Sequence, residues 1–236
     1  MKKVISILLI LVLLMVSCSA FAGDEHSEPI LFRGAQWGSS LDEVKKFIPD
    51  GVKMRDLKIT EYWYPMDSLM NDGNDWGSQY KAEMGGYSYA QSSSLKDVKV
   101  AGYDIEDLYL YFMYVPGEDG LLVKDDAHTA LIYAYYKLEP KNPDAVYDDL
   151  ISKLTSLYGD VDREESSTGL IDRKMSQWNG ADGTMVSVFR EDYSTTGSHY
   201  IYIKYGFKGG DDLMKAAYDA TVLEESKGAA SNVDGL

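Results

Sequence analysis

The sequence predicts an α+β fold: antiparallel sheet with helices packed on one side, read either as one sheet or as two tandem helix-then-strands units. Three observations predict it. Segments such as Asp107–Val115 (DLYLYFMYV) alternate aliphatic and aromatic side chains with the period of a strand. Two stretches, opening at Ser40 and Asn142, carry helix caps followed by helical apolar spacing. The strands come in runs separated by turn chemistry rather than alternating with helices, which favours α+β over α/β.

Taken in order, Ser40 reads as an N-cap and Glu43 completes a capping box. Leu41, Val44, Phe47 and Ile48 form one apolar stripe, and Pro49 and Gly51 end the helix. Upstream, Gly34 and Gly38 permit a tight approach, and Trp37 is placed to plug the end of a core. Arg33 is expected to pair with an acid or stack on an aromatic ring. A strand is expected over Leu57–Tyr64, and residues 65–97, rich in Gly, Ser and Asp, read as a long loop or irregular hairpin. Strands follow at Val98–Ile105, Asp107–Val115 and Thr129–Leu138, with PGEDG as a turn.

Asn142 and Pro143 then open a second helix. Val146, Leu150, Leu154 and Leu157 line one face, and Gly159 suits the position after its end. Three more strands are expected: Ile171–Trp178, Thr184–Arg190 and His199–Phe207. A third helix is expected over Asp211–Glu225, through Leu213, Met214, Ala217 and Tyr218, and KGAASNVDGL reads as a frayed tail. The domain reading is therefore a leader over residues 1–22, an α+β region over 30–207, and a C-terminal helix and tail over 208–236. The α+β region divides into halves at 30–138 and 139–207.

The leader has basic Lys2 and Lys3 before the uncharged apolar run Val4–Val16. That run is short for a membrane span and fits an export signal. Ala20-Phe21-Ala22 suits cleavage before Gly23, whereas Met15-Val16-Ser17-Cys18 resembles a lipobox ending the signal at residue 17, with Cys18 lipidated. Both readings send the chain out of the cytoplasm, to an extracellular, periplasmic or lipid-anchored location. Cys18 is the sole cysteine, so no intramolecular disulfide can form and stability must come from the core. Loss of Lys2 and Lys3 with the leader leaves 21 basic against 38 acidic residues, a net of −17. That charge argues against nucleic acid or anionic headgroups as partners, and leaves membrane association to the lipid anchor.

The stretch FRGAQWGSSLDEVKKF, the tyrosine-rich strands, the later YDDLISKLTSLYGDV and Trp178 together resemble a group of uncharacterised secreted bacterial proteins and lipoproteins. In that group Phe-Arg-x-x-x-Trp-Gly precedes a short helix containing Glu-Val. The order of elements is also similar to the β-lactamase-inhibitor-protein type of architecture, as regards fold alone. The resemblance implies a secreted binding or envelope protein and supplies no site residues.

Catalytic patterns are weak. His26, His128 and His199 lie apart, no Ser occupies a G-x-S-x-G elbow, and no His/Cys cluster marks zinc. No catalytic residue, metal or cofactor is assigned. Asp72, Asn74, Gly77 and Glu83 fall at positions 1, 3, 6 and 12 of an EF-hand-like loop, but Trp76 stands where a ligand belongs. That match reads as a polar loop.

The strands carry the binding hypothesis. Alternation sets Leu108, Leu110 and Phe112 against Tyr109, Tyr111 and Met113. It sets Ile132, Ala134 and Leu138 against Leu131, Tyr133, Tyr135 and Lys137, and Ile201 and Ile203 against Tyr200, Tyr202 and Lys204. Tyr109, Tyr111, Tyr133, Tyr135, Tyr200 and Tyr202 are thus the candidate binding residues, for a protein or envelope component. Tyrosine offers contact area at low entropic cost, though its β-propensity alone also places it on strands. The alternatives are a secreted hydrolase using loop carboxylates and a structural envelope lipoprotein. The binding reading also requires that residues 65–97 leave the face uncovered.

Overall fold

The computed structural model describes residues 28–48, 52, 58–60, 87–91, 95 and 98–231. The leader with Cys18, and the Asp72–Glu83 segment, lie outside the described residues.

The fold is α+β. Its main sheet has eight antiparallel strands: β1 (Lys58–Thr60), β2 (Tyr87–Gln91), β5 (Asp107–Tyr114), β6 (Thr129–Leu138), β10 (Ser198–Phe207), β9 (Thr184–Tyr193), β8 (Ile171–Asn179) and β7 (Arg163–Ser167), in that spatial order. β3 (Lys99–Val100) and β4 (Tyr103–Asp104) make a separate hairpin, turned by Ala101 and Gly102 at φ 52° and 93°. Two successive positive φ values are what the tight right-twisting hairpin requires. Each half of the chain is a helix followed by four antiparallel strands of the main sheet, and the last strands of the halves, β6 and β10, pair with each other. One continuous sheet therefore contains both tandem units.

α1 (Leu41–Val44) continues into a 3-10 turn, Lys45–Phe47. The Ser40 hydroxyl accepts from the Glu43 amide, and the Glu43 carboxylate accepts from the Ser40 amide, so the capping box is reciprocal. Leu41 and Val44 are buried, but Phe47 is exposed because the helix tightens after one turn. The Leu41 amide donates to the Thr129 hydroxyl at 2.8 Å, fastening α1 to β6.

α2 (Pro143–Tyr158) starts at Asn142, whose side-chain oxygen accepts from the Ala145 amide. It ends at Gly159, at φ 78°. Val146, Tyr147, Leu150 and Leu154 are buried, whereas Leu157, expected on the same face, is 71% exposed. With α1, α2 covers the aliphatic face of the sheet over Leu108, Leu110, Ile201, Ile203, Val186, Val188 and Trp178.

α3 (Gly209–Ser231) lies on the opposite face, so the helices are shared between both faces and only α1 and α2 share one side. Met214, Ala217 and Ala220 pack against Met113, Ile132, Tyr133 and Met185. Tyr218, expected in the buried stripe, is exposed, and Lys227–Ser231 is helical rather than a frayed tail.

Alternation also breaks between β5 and β6. β5 and β6 pair Tyr111 with Tyr133 but Phe112 with Leu131, leaving Ile132 as an extra residue. This bulge reverses the facing of the preceding residues. Leu131 joins the aliphatic core and Ile132 the cluster under α3, the reverse of the expectation for both.

Candidate tyrosine face

The stretch that holds Arg33 and Trp37 is structural. Arg33, at φ 53°, donates to the Phe47 carbonyl at 3.0 Å and to the Tyr136 hydroxyl at 3.1 Å. It thus fastens the 3-10 turn to β6, and it pairs with no acid among the described residues. The Trp37 indole donates to the Ile30 carbonyl at 2.8 Å and stacks on Phe207 with centroids 5.4 Å apart.

Strand register brings the six candidate tyrosines onto one face. Tyr109 lies opposite Tyr135 and Tyr111 opposite Tyr133 across β5 and β6, while Tyr202 lies opposite Lys137 across β6 and β10. Tyr109 and Tyr135 stack at 4.6 Å, Tyr111 and Tyr133 meet at 5.2 Å, and Tyr135 meets Tyr202 edge-on at 5.9 Å. Tyr202 contacts Tyr200 at 6.3 Å, and Tyr200 contacts Tyr193 at 5.7 Å. These separations lie in the range where aromatic pairs attract. The rings form an unbroken ladder across β5, β6, β10 and β9.

The six are not equivalent. Tyr109, Tyr111, Tyr135, Tyr200 and Tyr202 are half-buried, whereas Tyr133 is buried beneath α3. α3 covers one end of the face. β2, within the stretch read as a long loop or irregular hairpin, pairs antiparallel with β1 and extends the sheet sideways by pairing with β5. Burial, reinforced by the neighbouring Tyr111, Tyr133 and Tyr109, holds the Tyr135 hydroxyl far above its ordinary pKa.

Basic side chains lie among the rings. The Lys137 ammonium sits 4.2 Å from the centre of the Tyr200 ring and 3.1 Å from the Glu106 carboxylate. Burial lowers its pKa, but Glu106, Tyr200 and Asp107 together outweigh that effect and the net shift is upward. The Lys204 ammonium, on a buried residue, lies 4.0 Å from the Phe189 ring centre. Next along the face, Arg173 pairs with buried Glu191 at 3.0 Å, and the Tyr193 hydroxyl donates to the same carboxylate at 2.7 Å. Phe189, Glu191 and Tyr193 were not among the candidates; extending strict alternation through β9 would have placed them beside Tyr202 and Tyr200.

A groove of about 390 Å³ runs between α2 and strands β7 and β8. It is lined by Asp148, Glu164 and Glu165 with Lys174 and Tyr147, towards the β7 edge of the sheet. Among the described residues, no group of three or more His, Cys, Asp or Glu side chains is placed to hold a metal ion. No described helix is long and apolar enough to cross a membrane.

The fold and the face together define an α+β protein with an aromatic sheet surface. The chain matches no family model, no curated protein and no solved structure in comparisons with each.

Proposed function

We propose that the protein is an exported, non-enzymatic binding or envelope protein whose tyrosine-rich sheet face docks a partner protein or envelope component. The observation that carries this reading is the contiguous ladder from Tyr109 through Tyr135 and Tyr202 to Tyr200. Five of the six candidate tyrosines keep part of their surface accessible, and rigid rings with polar tips are well suited to interfaces. Lys137, partly exposed beside Tyr200 and paired with Glu106, gives the face one cation within an acidic chain. The leader supports export, with Cys18 as the lipid-attachment residue in the anchored form.

Capture from the native envelope tests the reading by comparing wild type with Tyr109→Ala plus Tyr202→Ala. The double variant is expected to lose a partner that wild type retains, while equal recovery of every partner would count against the tyrosine face. Labelling with a fatty acid decides between the two forms of export: label dependent on Cys18 marks the anchored form, and no label marks the soluble one.

A further inference from the structure

We propose that the outer edge of β7, with the groove between it and α2, receives an extended basic segment of a partner protein as a further strand of the sheet. β7 ends the sheet and, among the described strands, pairs with β8 alone. All of Arg163–Ser167 is exposed, so this edge is open to solvent. Its register with β8 runs unbroken from Arg163 opposite Gln177 to Ser167 opposite Arg173, with neither bulge nor proline. The edge at the other end of the sheet, β1, is shorter, at 3 residues. A regular strand edge turns alternate amides and carbonyls outward and is a template for another strand unless something guards it. On β7 the guard is charge alone, and charge excludes only strands of the same sign.

The sign is negative. Glu164 and Ser166 lie opposite Ser176 and Lys174, on the face that α2 covers, since the Ser176 hydroxyl meets the Tyr147 hydroxyl of α2 at 3.0 Å. The groove of about 390 Å³ there is lined by Asp148 and Ile151 from α2 and by Glu164 from β7. Asp148, Asp162, Glu164 and Glu165 stand against Arg163 and Lys174, and Arg163 is bound to Glu165. A strand laid along β7, about 4.8 Å from it, sends alternate side chains towards this groove. Lysine or arginine at those positions rests its aliphatic stem on half-buried Ile151 and brings its charge to Asp148 and Glu164. A second copy of this acidic chain would instead set carboxylate against carboxylate.

Titration of the full chain with a capped peptide of about seven residues, lysine alternating with threonine, tests the added strand. The peptide is expected to bind and to slow hydrogen exchange at amides within 163–167 at least about threefold. Binding is expected to weaken with added salt and to fall about tenfold or more in Asp148→Lys plus Glu164→Lys, both exposed side chains. The same peptide methylated at every backbone nitrogen keeps its charge but cannot donate to β7, and is expected to bind at least about tenfold more weakly. No binding up to about 1 mM, binding without slower exchange in 163–167, or equal binding of the methylated peptide would overturn the proposal. So would equal binding by the doubly substituted chain. No tyrosine of the ladder takes part, so this result is independent of the docking reading of that face.

Discussion

The same strands present two faces of opposite character. On one, Leu108, Leu110, Phe112, Ile201 and Trp178 are removed from water beneath α1 and α2. On the other, one residue further along each strand, Tyr109, Tyr111, Tyr200 and Tyr202 keep part of their rings accessible. Residues of comparable bulk therefore do different work according to parity along the strand. Aliphatic side chains gain from complete removal from water, whereas a tyrosine can pack its ring sideways against another and leave its hydroxyl at the surface. The first face holds the molecule together, and the second carries aromatic area that folding leaves partly uncovered.

That contrast can be broken by substitution. Trp178 is fully buried and its indole donates to the Gly159 carbonyl at 3.0 Å, so Trp178→Ala should cost about 3–5 kcal/mol in urea unfolding. A cost below about 1 kcal/mol would show that the aliphatic face is not the stabilising one. Gly159→Ala acts on the same side, because φ 78° with ψ −156° is closed to residues bearing a β-carbon; the expected cost is about 1–3 kcal/mol by the same measurement.

Alkali acts on the tyrosine side through Tyr135. Burial raises the Tyr135 pKa, so above about pH 10 the unfolded chain ionises this group and the folded chain does not. Stability from this group is complete below that pH and falls by about 1.4 kcal/mol per pH unit above it. Tyr135→Phe should make the fall shallower, and identical slopes for variant and wild type would contradict the burial. The smallest effect is expected for Tyr109→Ala or Tyr202→Ala, each costing about 1 kcal/mol or less in stability. A loss as large as that of Trp178→Ala would assign those rings to the core.

Much of this division is legible in the sequence, because caps and alternation are local signals. Ser40 with Glu43, Asn142 with Pro143, and the parity of Tyr109, Tyr111, Tyr200 and Tyr202 each depend on residues a few positions apart. The remainder depends on distant partners. β7 reads REESS and carries no apolar residue to mark it; its exposed, charged side chains suit an unpaired edge instead. The bulge at Ile132 follows from how β6 pairs with β5, which periodicity within β6 cannot reveal. Likewise, the burial of Tyr133 depends on α3 crossing to the second face, and an amphipathic stripe does not state which face it will meet.

The seam between β6 and β10 has a consequence for how the molecule forms. Ile201 faces Leu138 and Gly206 faces Tyr133 across it, whereas the other pairs of the large sheet join strands that are its successive members along the chain, β2 and β5 with the β3–β4 hairpin between them. Each four-stranded meander can therefore assemble from neighbouring hairpins, but the seam must close a loop containing a helix and three further strands. Closing a loop of that size costs more chain entropy than closing the adjacent hairpins β7–β8, β8–β9, β9–β10 or β5–β6, so β6 and β10 are expected to meet after those hairpins form. The aliphatic core and the tyrosine ladder both cross this seam, and both are completed when it closes.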